Sequence, residues 1–250
     1  TGQPDLFNGQ LSLFGDTPTP STTSKGQKQG NLFAEFADEG QGDSKYSNLA
    51  NLESLPYNYQ LIDNEDKRNE LRTKLITSEI LSLDTETTST DPINAELVGM
   101  SFSIQENEAY YVPIPANQDE ALKIVNELKE VFENKQSLKV GQNIKYDMLV
   151  LSNYGIELQG PMFDTMIAHY VLQPELRHNM DYLAEIYLNY QTIHIEELIG
   201  SKGKNQGNMR DLPPEAIYKY ACEDADVTLK LYHILKKELE EHQVSSLFYN

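Results

Sequence analysis

An apolar run that ends in two acids, Ile80-Leu81-Ser82-Leu83-Asp84-Thr85-Glu86, is the feature that most limits the folds open to this chain. Side chains alternate between the two faces of a strand, so Asp84 and Glu86 point the same way. The apolar residues before them predict that a sheet buries the base of both carboxylates. Such a pair is costly without counter-ions. A purely structural use, capping the next turn, is the lesser reading.

Two other stretches add acids at helical spacing. In Asn143-Ile144-Lys145-Tyr146-Asp147 and Tyr220-Ala221-Cys222-Glu223-Asp224, a four-residue step brings Asn143 over Asp147 and Tyr220 over Asp224. Asp147 alone would be an ordinary surface acid; Asn143 and the strand before it raise its standing. The step from Tyr220 favours Asp224 over Asp226, which is left as a solvated or capping acid. Asp164, in Phe163-Asp164-Thr165-Met166, is a weaker fourth element and is expected to cap the helix beginning at Thr165. Carboxylates converging on one pocket repel one another unless cations neutralise them, and hard oxygen donors suit Mg²⁺ or Mn²⁺. Paired divalent ions about 3.5–4 Å apart are a common device for cutting phosphodiesters. The chain reads as a metal-dependent nuclease.

The pattern along the chain predicts an α/β domain. Tyr59–Ile62 suggests an edge strand and Asp66–Thr77 a helix with Leu71 and Leu75 on one face. Glu79–Glu86, Leu97–Ile104 and Ala109–Ile114 read as strands separated by turns at Asp91-Pro92 and Glu106-Asn107. Gln118–Asn134 reads as one amphipathic helix with Leu122, Val125, Leu128 and Phe132 as its stripe. A short strand at Leu138–Val140 leads to helices at Lys145–Asn153, Phe163–Leu172 and Asp181–Leu188. Pro213 and Pro214 open a long helix through about His242.

Composition matters at three points. Cys222 is the single cysteine, which excludes an internal disulfide and reads as a small buried residue. No apolar run approaches the ~20 residues of a membrane span, and the start shows no signal-peptide pattern. A cytoplasmic enzyme without a membrane partner is therefore expected. The net charge of −19 argues against a module that grips duplex DNA. It leaves room for an enzyme that holds a few nucleotides at a metal centre, where cations reverse the local field. The five histidines lack metal-ligand spacing and read as surface or packing groups.

Residues 1–54 are expected to form a flexible, disordered linker. The run Thr17-Pro18-Thr19-Pro20-Ser21-Thr22-Thr23-Ser24 and the Gly/Gln/Lys stretch after it hold too little apolar content to fold. A start at Thr1 rather than Met suggests a piece of a longer polypeptide.

Taken together, the motifs resemble the proofreading 3′–5′ exonuclease domain of bacterial DNA polymerase I, in the tyrosine branch of the four-carboxylate exonucleases. Asp84-x-Glu86, Asn143-x-x-x-Asp147 and Tyr220-x-x-x-Asp224 stand in family order. Val140-Gly141-Gln142-Asn143, Gly203-Lys204-Asn205-Gln206 and Glu223-Asp224-Ala225-Asp226-Val227-Thr228 extend the likeness over roughly Tyr57 to His242. The resemblance implies a ribonuclease-H-like α/β fold, a mixed central sheet flanked by helices, over residues 55–242. Residues 243–250 would begin the connection to a polymerase domain.

The resemblance also implies a set of roles. Asp84, Glu86, Asp147, Tyr220 and Asp224 would be catalytic. Asp84, Glu86 and Asp224 would hold the tighter of two divalent cations, and Asp84 with Asp147 the second. Mg²⁺ is the expected ion, with Mn²⁺ or Zn²⁺ as substitutes. Tyr220, helped by Glu86, would orient the attacking water. Thr87, Asn143, Tyr146 and Arg177 match positions that hold the terminal nucleotides. Thr90 and Ile195 stand where the best-known pattern has a leucine wedge and a stacking phenylalanine. Ile195 keeps apolar contact and loses aromatic stacking, worth about 1–3 kcal/mol per base. Gln10-Leu11-Ser12-Leu13-Phe14 resembles the peptide by which bacterial replication proteins dock on the sliding clamp, with Gln10, Leu11, Leu13 and Phe14 as contacts.

The expected partners are therefore a single-stranded or frayed 3′ end of DNA, a polymerase domain in cis, and the clamp. The place is the bacterial cytoplasm, associated with the nucleoid. Two alternatives remain beside this reading: a ribonuclease D-like RNA exonuclease, and a catalytically silent scaffold. The loop Gly200–Gln206 lacks the spacing of a P-loop and reads as a mobile basic loop near DNA or a solvated connection.

Overall fold

A computed structural model describes residues Leu49–Tyr249. The clamp-like residues Gln10, Leu11, Leu13 and Phe14 lie outside the described residues. Six strands form one sheet: β1 (Asn58–Leu61), β2 (Ile80–Thr87), β3 (Leu97–Gln105), β4 (Glu108–Pro113), β5 (Leu138–Gly141) and β6 (Met162–Asp164). Their order is β1-β4-β3-β2-β5-β6. Strands β2, β3 and β4 run antiparallel in turn, while β5 and β6 add in parallel on the other side of β2 and β1 pairs in parallel with β4. The sheet is therefore mixed, and the acidic strand β2 lies inside it.

The helices are α1 (Glu65–Ile76), α2 (Gln118–Glu127), α3 (Lys129–Phe132), α4 (Ile144–Ser152), α5 (Thr165–Leu172), α6 (Met180–Leu188), α7 (Ile195–Ile199), α8 (Pro214–Glu241) and α9 (Ser245–Tyr249). Alternation along β2 divides them. Leu81 and Leu83 join a core with Leu71 and Leu75 of α1, Val125 of α2, Phe132 of α3 and Leu151 of α4. Ile80 faces the other layer, where Val227, Leu231 and Leu235 of α8 pack with Leu183 and Ala184 of α6. Pro214 sits in the first turn of the 28-residue α8, where its missing N–H costs nothing.

The structure differs from the sequence pattern at several points. The segment 118–134 is two helices, because Leu128 leaves helical geometry at φ −102°, ψ 3°. Its apolar stripe continues across the break, so periodicity alone does not reveal it. Met162–Asp164 is an edge strand rather than the start of a helix; its three residues are too few to show alternation. Residues 49–54, expected to belong to the linker, are part of the same compact unit as the domain. Ala50 bridges Tyr190, Asn51 caps a 3₁₀ turn over Leu52–Ser54, and Leu52 is buried. At the other end α9 packs back on the domain, with the Phe248 ring 4.7 Å from that of Phe163.

Gly99, paired with Glu86 across β2 and β3, has a packing reason for lacking a side chain. A Cβ there would stand 2.2 Å from the ring of Tyr111, which is fully buried. Gly99→Ala is expected to destabilise the domain by about 1–3 kcal/mol through overpacking. Thermal denaturation checks this; an unchanged midpoint would mean that the Tyr111 ring has room to move.

Candidate active site

The sheet and the long helix meet at the acids. Asp84 and Glu86 leave β2 on the side covered by α8, and α8 presents Asp224 to them. One carboxylate oxygen from each of Asp84, Glu86 and Asp224 lies within 4.8 Å of the others. Burial pushes Asp84 up to about 7. Burial and the neighbouring charges also hold Glu86 and Asp224 well above the usual carboxylate range. Glu86 is 6% exposed, and its Oε1 has no hydrogen-bond partner. A clustered, mutually repelling oxygen set with an orphaned buried oxygen fits a hard divalent cation, which would neutralise the charge and supply the missing partner.

Asp147 approaches from α4 and is 2% exposed. The Thr85 hydroxyl donates to its Oδ1 at 2.7 Å. Burial, then the charge of Asp84, raises its pKa. Tyr220, one turn before Asp224 on α8, hydrogen-bonds to the Asp224 carboxylate; burial and the surrounding acids keep its hydroxyl protonated.

The residues matched to nucleotide-holding positions lie on several different elements. Thr87 Oγ1 lies 2.5 Å from the Tyr146 hydroxyl, and both hydroxyls bond the Ser89 carbonyl. Thr90 is exposed just beyond this knot. Asn143 does not stack over Asp147 within a helix. It is the N-cap of α4 in left-handed geometry, with φ 64° and ψ 44°, and Lys145 Nζ donates to its side chain. Arg177 is exposed on the loop before α6, where its charge acts on Glu185. Ile195 is half-buried at the start of α7, in the same apolar cluster as Tyr111, Ala221 and Tyr220. The loop 200–206 is an exposed turn closed by the Gly207 N–H on the Ile199 carbonyl.

Several polar groups here escaped sequence reading. Asp226 is not a solvated acid. It is fully buried and accepts from the Tyr59 hydroxyl at 2.8 Å, the Asn107 N–H at 2.7 Å and Lys230 Nζ at 2.8 Å. Glu223, also fully buried, accepts from the Tyr190 hydroxyl and the Ile193 N–H. Residues 221–229 of α8 are buried without interruption, so helical periodicity could not sort these acids. Asp164 caps α5, as expected, through the Met166 and Ile167 N–H groups, and its carboxylate also accepts from Asn143 N and Ile144 N at the head of α4. His169 and His178 are buried packing groups joined through Nδ1 atoms 2.7 Å apart.

A mixed sheet crossed by a long helix, with clustered carboxylates between them, is a ribonuclease-H-like fold carrying a candidate divalent-metal site. A 3′–5′ exonuclease family model matches residues 59–240, and the chain belongs to the 3′–5′ exonuclease domain family of the DNA polymerase I type. Its relatives include DNA polymerase I of Pseudomonas aeruginosa, 42% identical over 177 residues, covering 67% of this chain and 19% of that protein. DNA polymerase I of Borreliella burgdorferi is 34% identical over 194 residues, covering 76% of this chain and 21% of that one. The chain thus spans about a fifth of the length of these relatives. In fold it is similar to Brucella melitensis NrnC solved with bound Mg²⁺, at TM-score 0.60 and 18% identity, over 78% of this chain and 87% of that one. No described helix is long and apolar enough to cross a membrane.

Proposed function

We propose that this domain removes nucleotides from the 3′ end of DNA with two divalent cations, as the proofreading part of a DNA polymerase I whose polymerase domain lies in the same polypeptide. The observation that carries the reading is the gathering of Asp84, Glu86 and Asp224, with Asp147 beside them. These acids would hold one cation in the trio and a second between Asp84 and Asp147. The cations supply Lewis acidity, which makes water nucleophilic at neutral pH and offsets charge on the departing 3′ oxygen. Mg²⁺ is the proposed ion, matching the donor set and the ion found with NrnC.

The chain's own groups do the rest. The hydroxyl of Tyr220 both donates and accepts, so it can align a water against the scissile phosphorus while staying protonated. Glu86, which would hold a cation through its orphaned Oε1, would help orient that water through its other carboxylate oxygen. Thr87, Tyr146, Asn143, Thr90, Arg177 and Ile195 are proposed contacts for the last nucleotides. No covalent intermediate is needed, and the product is a nucleoside 5′-monophosphate. On sequence alone, Gln10–Phe14 is proposed to dock on a sliding clamp, placing the protein with replication machinery in the bacterial cytoplasm.

The test is a hydrolysis assay on end-labelled single-stranded DNA, beside RNA of the same sequence, with Mg²⁺ or with chelator. Mononucleotide release from DNA only with metal supports the proposal; faster cleavage of RNA would move it to the ribonuclease D-like reading. Tyr220→Phe separates the roles within the site. Loss of one hydrogen bond of about 1.5–3 kcal/mol lowers turnover roughly 10–10²-fold and leaves metal binding intact. Should metal affinity collapse instead, Tyr220 holds the site together rather than orienting water.

A further inference from the structure

We propose that Thr85 is a positioning residue: it turns Asp147 so that a single carboxylate oxygen is offered to the metal centre. The inference rests on the exonuclease reading above. Thr85 lies between two acids of the motif yet points to the opposite face of β2, toward α4. Ladder pairing between β2 and β5 stops at Ser82, so the edge of β2 from Asp84 to Thr87 has no strand beside it on that side. The first turn of α4 fills the gap and brings Asp147 against that edge.

Contact is made where water is excluded. Thr85 is 8% exposed and Asp147 2% exposed, and the Thr85 hydroxyl donates to Asp147 Oδ1 at 2.7 Å. A hydrogen bond to an ionised acceptor in such surroundings is strong and directional. With Oδ1 held by the Thr85 hydroxyl, and the Thr85 and Asp147 N–H groups also bonded to this carboxylate, its orientation is fixed, with Oδ2 as the proposed donor oxygen. This fits its place outside the trio of ligand oxygens formed by Asp84, Glu86 and Asp224. The motif then reads as three functional residues in a row: Asp84 and Glu86 face the cations, and Thr85 reaches behind the sheet to aim the fourth acid.

A buried threonine can also merely fill space, and Thr85→Val preserves that role because it keeps shape and β-branching while removing the hydroxyl. The experiment uses the full chain, as wild type, Thr85→Val and Thr85→Ser. It measures kcat and KM on single-stranded DNA, calorimetric titration with Mn²⁺, and thermal stability. Thr85→Val should lower kcat about 10- to 100-fold with KM unchanged, and weaken the second Mn²⁺ event while the first persists. Thr85→Ser should restore both. The proposal is overturned if Thr85→Val stays within twofold of wild type in kcat and in Mn²⁺ binding, or if Ser and Val lose activity and stability in parallel. A wild type without metal-dependent hydrolysis defeats the exonuclease reading instead, while the Mn²⁺ titrations still report on Thr85.

Discussion

Replacing Asp224 by Asn is expected to lower hydrolysis at the 3′ end about 10³-fold and, in chelator, to raise the melting temperature of the protein. Both effects have one cause. Asp224 lies within 4.8 Å of oxygens of Asp84 and Glu86, and burial and their charges disfavour its ionised form. Without a cation, ionising the three clustered carboxylates sets them against one another, and removing one ionisable group relieves the other two. Asparagine keeps the shape and still accepts from Tyr220. A gain of about 1 kcal/mol would appear as roughly 2–4 °C in a domain of this size. The checks are a kinetic assay with Mg²⁺ and calorimetry with chelator. Near-wild-type activity would remove Asp224 from the metal centre, and a lower melting temperature would make it a structural group.

Stability of the metal-free protein is expected to fall as pH rises toward and past 7, and divalent cations should reverse this most strongly on the alkaline side. Burial moves Asp84 from 3.8 to about 7, and Glu86, Asp147 and Asp224 shift in the same direction. Between those limits the folded state binds more protons than the unfolded chain, so stability decreases with pH across that window. At higher pH the cluster is ionised and its repulsion is fully felt, on the order of a few kcal/mol. A cation binds the ionised acids, so it gains most where no proton competes. Melting temperatures at pH 5.5 and pH 8, each with chelator and with Mn²⁺, measure the difference. An equal gain from metal at both values would show that these acids do not carry protons in the metal-free protein.

The parts of the site legible in the sequence were those written in a regular period. Alternation put Asp84 and Glu86 on one face, and a four-residue step put Asp224 beneath Tyr220; the structure brings these groups together. Asn143 was misplaced because a left-handed residue breaks the period that linked it to Asp147. Asp226 and Glu223 were opaque for a different reason: α8 is covered by the sheet on one side and by α5 and α6 on the other, so polar residues there are satisfied by partners distant in sequence. Thr85 carried no signal at all. Its partner Asp147 is 62 residues away, and only the early end of β5 brings the two together. The strand Met162–Asp164 and the turn at Leu52 are each three residues long, too short for any period to register.

The single carboxylate of Asp164, which receives four backbone N–H groups, gives α4 and α5 a common anchor. Helix α4 carries Asp147, and α5 packs on α8, which carries Asp224. The two acids on opposite layers are therefore spaced by a continuous path of peptide and packing that runs through Asp164. A cation bound here would meet a preorganised centre, so little of its binding energy would be diverted to ordering the protein. One buried carboxylate thus fixes the placement of two helices, and through them of two acids that would otherwise repel one another.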